Sequence, residues 1–315
     1  MRLLAFTLVL QMGIAAAQTY PTKPLKLVTP FPPGGSADVI ARLAAERLGD
    51  GLGQPVVVDN RQGAGGMVGN DYASKQPPDG YTLLLITGAY PVQAAMLKSL
   101  PFDPLRDIAM VSVLTSYPFV ISVRPDSRFR TLGDLIAEAK ANPGKLNYPS
   151  SGIGTVHHLS GELLNAMAGI DMTHVPFRGG ASPLTELLGG RVDLLLEAMT
   201  LSIGQVQSGK LRALAVTSRE RWKALPDVPA VHDTLPGYEV ISFIGLGATG
   251  GTPAPIIQRL NDEVRKLLGA PATARRFVEL GGEPRATSPE EMKAFIERDI
   301  ERWRSVIAAR KIERQ

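Results

Sequence analysis

Two long β-rich stretches, Met110 to Val123 and Glu239 to Ala248, constrain the fold of this chain most tightly. Around them, strand-like and helix-like patterns alternate, which points to α/β architecture with mostly parallel sheet. Before the first stretch, Leu25 to Val28, Pro55 to Asp59 and Tyr81 to Ile86 read as strands. Val39, Ile40, Leu43, Ala44 and Leu48 share one helical face between the first two. Gly63 to Gly66 enters a further helix through Gln76, and Tyr81 to Ile86 is nearly all apolar, as a buried parallel strand is. Between the long stretches lies a second α/β series. Its strands are Leu146 to Ser150, Met172 to Pro176, Val192 to Leu196 and Leu211 to Thr217. Its helices begin at Thr131, which forms a capping-box-like pattern with Asp134, at Thr155 and at Pro183. Thr252-Pro253 and Ser288-Pro289-Glu290-Glu291 open helices near the C-terminus. A chain that leaves one α/β lobe, builds another and returns has this pattern. It assigns 18–118 and 239–315 to one lobe and 119–238 to the other. The crossings near Tyr117 to Val123 and Glu239 to Phe243 then form a two-strand hinge. One continuous sheet is the competing reading of the same periodicity.

A length of 315 residues suits two such domains. The start, Met1-Arg2 followed by Leu3 to Leu10 and then Ala15-Ala16-Ala17, is a secretory signal with an A-x-A cleavage pattern. Cleavage is expected after Ala17, and the apolar run is too short to span a bilayer. The mature product is expected in the periplasm. The chain has no cysteine, which removes disulfides, thiolate nucleophiles, cysteine metal sites and a lipid-anchor cysteine. The net charge of +4 is spread out, with no basic stripe carrying interleaved aromatics, so no nucleic-acid partner is expected.

The run Phe31-Pro32-Pro33-Gly34-Gly35-Ser36-Ala37-Asp38 joins the first strand to the first helix. Its prolines stop the strand and its glycines allow positive φ and close approach. Ser36 is expected to cap the helix, and Asp38 to favour its positive end. The free N–H groups of Gly34, Gly35 and Ser36 form a cup suited to a carboxylate, though a plain tight turn is the competing reading. Ser150-Ser151-Gly152-Ile153-Gly154-Thr155 repeats that chemistry in the second series, so Ser151, Gly152, Gly154 and Thr155 join the candidate set. Thr87 follows the third strand, where α/β sheets place ligands. Arg178, in a Gly-rich turn, could form a bidentate pair with a carboxylate or simply face solvent. Glu197 closes an apolar strand and could bind an ammonium or amide, or exclude extra negative charge. His157 and His158 point away from each other on a helix; His158 is counted in the ligand-binding set. Gly63 to Gly69 does not fit G-x-G-x-x-G, because Val68 occupies the last place, and there is no H-E-x-x-H, Walker A or G-x-S-x-G pattern, so no metal, cofactor or catalytic residue is expected.

Several segments together resemble one family, the periplasmic receptors of tripartite tricarboxylate transporters (the Bug family). They are Leu27 to Asp38, Gly53 to Arg61 with Gly63 to Gly66, Pro77 to Leu83, His174 to Gly180, Gly209 to Thr217 and Leu235 to Tyr238. The resemblance runs from about Pro21 to the end. It implies a type II periplasmic-binding-protein fold whose two lobes close on a small carboxylate-bearing solute, with no chemical step. It also implies a monomer that delivers the solute to membrane permease subunits. Family members often carry an aspartate and an asparagine where this chain has Glu197-Ala198. A sensor that reports to a receptor is the first rival, and a periplasmic enzyme using the same cleft the second.

Overall fold

The structure, a computed structural model, describes residues 20–309 and 311–314, so the signal segment and its cleavage site lie outside the described residues. The chain enters through β1 (Leu25–Thr29), α1 (Ser36–Leu52), β2 (Val56–Asn60), α2 (Met67–Ser74), β3 (Thr82–Thr87) and α3 (Ala89–Met96). Ile40, Ala41, Ala44 and Leu48 form the buried face of α1, and Leu83 to Ile86 is fully buried. Then comes β4 (Ile108–Val123), 16 residues long and apolar through most of its length. The second series runs α4 (Leu132–Ala141), β5 (Asn147–Ser150), α5 (Val156–Ala168), β6 (Thr173–Pro176), α6 (Ser182–Leu188), β7 (Leu195–Ala198), α7 (Met199–Gln207), β8 (Arg212–Val216) and α8 (Val231–Thr234). The return is β9 (Ile241–Thr249), followed by α9 (Ala254–Gly269), α10 (Pro271–Glu279), β10 (Glu283–Pro284) and α11 (Pro289–Ala309).

The first lobe has the strand order β2-β1-β3-β9-β4-β10, with β1 parallel to β2 and β3, and β9 antiparallel to β3 and β4. β4 belongs to both lobes. Ile108 to Pro118 pairs with β9, whereas Phe119 to Val123 pairs with β7 and β8. Pro118 therefore does not break the strand. It sits where the strand changes partners, the place in a ladder where a missing N–H is best tolerated.

Thr217 locks this crossing. Its hydroxyl accepts from Phe119 N–H at 2.7 Å and donates to the Val240 carbonyl at 2.6 Å. Its backbone accepts from Val240 N–H at 2.8 Å. Both strands that pass between the lobes are thus held by one buried residue.

Three helices, α3, α7 and the single-turn α8, were not foreseen from the sequence. All eight residues of α3 are buried, so it has no polar face and no amphipathic period. The short α7, with Gly204 inside it, also lacks a clear apolar stripe. The capping boxes at Thr131 with Asp134 and at Ser288 with Glu291 form as the sequence pattern predicts.

Candidate functional site

The two lobes meet over a cleft, and the loop Phe31 to Gly35 is its first wall. Gly34 adopts φ +81°, a conformation that favours glycine. Gly35 has an ordinary extended backbone and is itself the N-cap of α1, with no side-chain cap. Ser36 is therefore the first helical residue and not the cap, which leaves its hydroxyl unengaged by the fold. The first-turn amides of Ser36 and Ala37 have no intrahelical acceptor. Asp38 faces away from the cleft. It accepts from Gly34 N–H at 3.1 Å, from Arg42 at 2.9 Å and from Asn60 at 3.0 Å, while Asn60 also donates to the Phe31 carbonyl. Burial would raise this carboxyl, but the donors from Arg42, Gly34 and Asn60 outweigh it and hold it below its ordinary value. Asp38 thus fixes the loop and consumes the Gly34 N–H.

The second wall is the β5–α5 loop. Thr155 caps α5 by accepting from His158 N–H, and its hydroxyl donates to the Gly152 carbonyl at 2.7 Å. Gly152 N–H donates to Ser150 Oγ, and Gly154 N–H to His158 Nδ1. The amides of both glycines, offered by the sequence as ligand donors, are therefore spent inside the loop. His158 does not face the cleft either. It stacks on His174 with ring centroids 4.2 Å apart, and His174 Nε2 lies 2.6 Å from Ser150 Oγ. Burial lowers His158 to about 4, and burial with the neighbouring His158 lowers His174 to about 3. These rings brace the loop from behind.

The lobes approach each other through glycines. A Cβ on Gly35 would stand 3.1 Å from Gly180 Cα, and one on Gly152 would stand 3.3 Å from Gly65 Cα. Side chains at these positions would hold the lobes apart.

Between the walls lies a cavity with about 480 Å³ of non-atom space, open solvent at its mouth included. Gly35, Ser36 and Ala37 line it on one side, with Thr87, Gly88 and Ala89 at the β3–α3 turn. Ser151, Thr155, Val156, His157 and Gly180 line it on the other. Phe31, Tyr117, Phe119, Leu201 and Ser242 complete it, with Glu197 near the end of β7. Burial raises the Tyr117 phenol, and the Glu197 charge adds to this against an opposing hydrogen bond with Ser242, so Tyr117 keeps its O–H.

Of the residues expected from the sequence, Gly35, Ser36, Thr87, Ser151, Thr155 and Glu197 come together here. Gly34, Asp38, Gly152, Gly154 and His158 support the walls without lining the cavity. Arg178 is solvent-exposed and lies outside it, because the turn at Gly179 and Gly180 presents backbone to the cleft instead. His157 was missed as a site residue. Adjacent histidines on a helix face opposite ways, and only the phase set by the Thr155 cap decides which one enters the cleft. The aromatic wall of Phe31, Tyr117 and Phe119 was also missed, since such residues read as core from sequence alone. Among the described residues, no group of His, Asp or Glu is placed to hold a metal.

The chain matches the family model "Tripartite tricarboxylate transporter family receptor" over residues 40–312. It is 37% identical to protein BugT of Bordetella pertussis over 301 residues, covering 94% of this chain and 92% of BugT. Among solved structures it is similar to a protein from R. palustris bound to adipate, with a TM-score of 0.90, 36% identity, and coverage of 93% of this chain and 99% of that one. It is also similar to MatC from Rhodopseudomonas palustris with bound malate, with a TM-score of 0.87, 30% identity, and coverage of 91% and 100%. The two-lobed α/β fold, the cleft between its lobes and these likenesses agree: the chain belongs to the tripartite tricarboxylate transporter receptor family, the Bug proteins, which are periplasmic solute-binding proteins and not enzymes.

Proposed function

We propose that this protein captures a small organic acid in the cleft by lobe closure and hands it, unaltered, to the membrane permease subunits of a tripartite transporter. One observation carries the reading. The cavity is walled from both lobes at once, by Gly35 and Ser36 on one side and Ser151 and Gly180 on the other. First-turn amides and free serine hydroxyls suit a carboxylate. Bound adipate and malate in similar proteins support the same ligand class. In this reading 18–118 with 239–315 and 119–238 are the two moving lobes, and the protein acts as a monomer. It enters the periplasm by cleavage after Ala17. Intact-mass analysis of the exported protein checks that step: the expected chain begins at Gln18, and one beginning at Met1 contradicts it.

The functional test is a thermal-shift screen of small organic acids on ligand-stripped mature protein. A true ligand at 100 times its Kd adds about 2.7 kcal/mol of stability, a readily measured shift. Absence of any stabilising acid across mono-, di- and tricarboxylates would overturn the carboxylate reading.

A further inference from the structure

Glu197 gives the cavity an unusual charge for an acid receptor. It is only 2% exposed. Its Oε1 accepts from His157 Nε2 at 3.0 Å and from Ala198 N–H at 2.8 Å. Its Oε2 has no hydrogen-bond partner among the described residues, yet it is not sealed from the cavity as a buried orphan would be. His157 is held edge-on by Phe119, with centroids 4.8 Å apart, and its Nδ1 is buried without a partner. The tautomer that fits therefore carries its proton on Nε2 and points it at Oε1. Among the described residues no lysine or arginine lines the cavity, and Arg178 is outside it.

A carboxylate oxygen taken out of water needs a donor, and leaving it without one is costly. The fold supplies donors to Oε1 and none to Oε2, which leaves Oε2 open to a donor on the occupant in place of water. A second ligand carboxylate cannot supply it. It would bring like charge toward Glu197 in a closed, partly apolar space that no lysine or arginine lines among the described residues. The anion-binding elements, the α1 amides with Ser36 and Ser151, serve one carboxylate.

We propose that the preferred ligand is a monocarboxylate whose other end carries an N–H donor, an amide or ammonium, that Glu197 Oε2 accepts. The α1 amides with Ser36 and Ser151 hold its carboxylate. This rests on the acid-receptor reading above and sharpens it: dicarboxylates such as those seen in similar proteins are disfavoured here.

The test is calorimetry on ligand-stripped protein with the dicarboxylates of three to six carbons and their monoamides, which differ by one O⁻ replaced by NH₂, and with the ω-amino acids of the same lengths. The best amide or amino acid should bind at least about tenfold more tightly than the diacid of equal length. Glu197→Gln keeps an oxygen for His157 and Ala198 but turns Oε2 into a donor. It should narrow or reverse that gap, chiefly by strengthening diacid binding. A diacid that equals or beats its nitrogenous analogues in the unsubstituted protein overturns this inference and leaves the acid-receptor reading standing. An equal effect of Glu197→Gln on both ligand types also overturns it. Failure of every compound in the series to bind overturns this inference, while the acid-receptor reading falls only if the wider acid screen also finds no ligand.

Discussion

Gly35 is required to be small by the space around it, not by its backbone torsion. The sequence reading allowed it a positive φ, but only Gly34 has one, while Gly35 is small because Gly180 of the other lobe lies against it. Gly35→Ala should therefore leave each lobe folded and penalise the form in which the lobes touch. Overpacking of this kind costs about 1–3 kcal/mol, or roughly 5- to 150-fold in ligand affinity if it falls on the closed form alone. Calorimetry checks this, and unchanged affinity would mean that the contact is not part of ligand capture. How much of the site the sequence could disclose follows the same line. Ser36, Ser151 and Glu197 were legible because each lies at or just beyond the end of a strand or at the start of a helix. The exposure of Arg178, the inward turn of His157 and the pairing of Gly35 with Gly180 depend on helix phase and lobe contact, which no local pattern records. Two expected donors, Gly152 and Gly154, were read correctly as turn glycines, but their N–H groups serve Ser150 and His158.

The β5–α5 loop rests on a stacked pair of buried histidines, and this makes its stability depend on pH. His158 and His174 are lowered to about 4 and about 3, below the ordinary value of 6.5. Between pH 6.5 and those values the unfolded chain binds protons that the folded chain refuses. The stabilisation is thus complete above about pH 6.5, declines as the pH falls, and levels off below the folded values. His158 alone accounts for roughly 3 kcal/mol over that window. Urea unfolding at several pH values should show the decline, and His158→Asn should make it shallower; an unchanged slope would contradict the assignment. At the crossing, Thr217→Val removes the hydroxyl shared by Phe119 and Val240 and leaves two buried backbone groups short of a partner. It should cost roughly 2–3 kcal/mol in a denaturant midpoint without changing the slope. A loss within about 0.5 kcal/mol would show that the hydroxyl does not hold the crossing. The strands of both lobes and the helices with capping signals were legible as elements. The α3 helix was not, because burial on every side erases the amphipathic period that betrays a helix.

The path of β4 through the ladders of both lobes, with Val240 just before β9 bonded to Thr217, makes the molecule a pair of packed bodies joined at Thr217 and facing each other across the cavity. The two β-rich stretches suggested this two-lobed architecture, although periodicity left one continuous sheet as the competing reading, and β4 does join the strands of both lobes. What they could not disclose is how closely the lobes meet, which the glycine contacts at Gly35 and Gly152 determine. A ligand that touches both walls favours the form in which they meet, and its preference for that form sets how far the population shifts. The most direct measurement is solution scattering of ligand-stripped protein with and without the tightest acid from the screen, with mass spectrometry of the recovered ligand. The radius of gyration should fall at saturation and the ligand should come back unchanged. An unchanged radius at saturating ligand, or a chemically altered ligand, would contradict capture by closure.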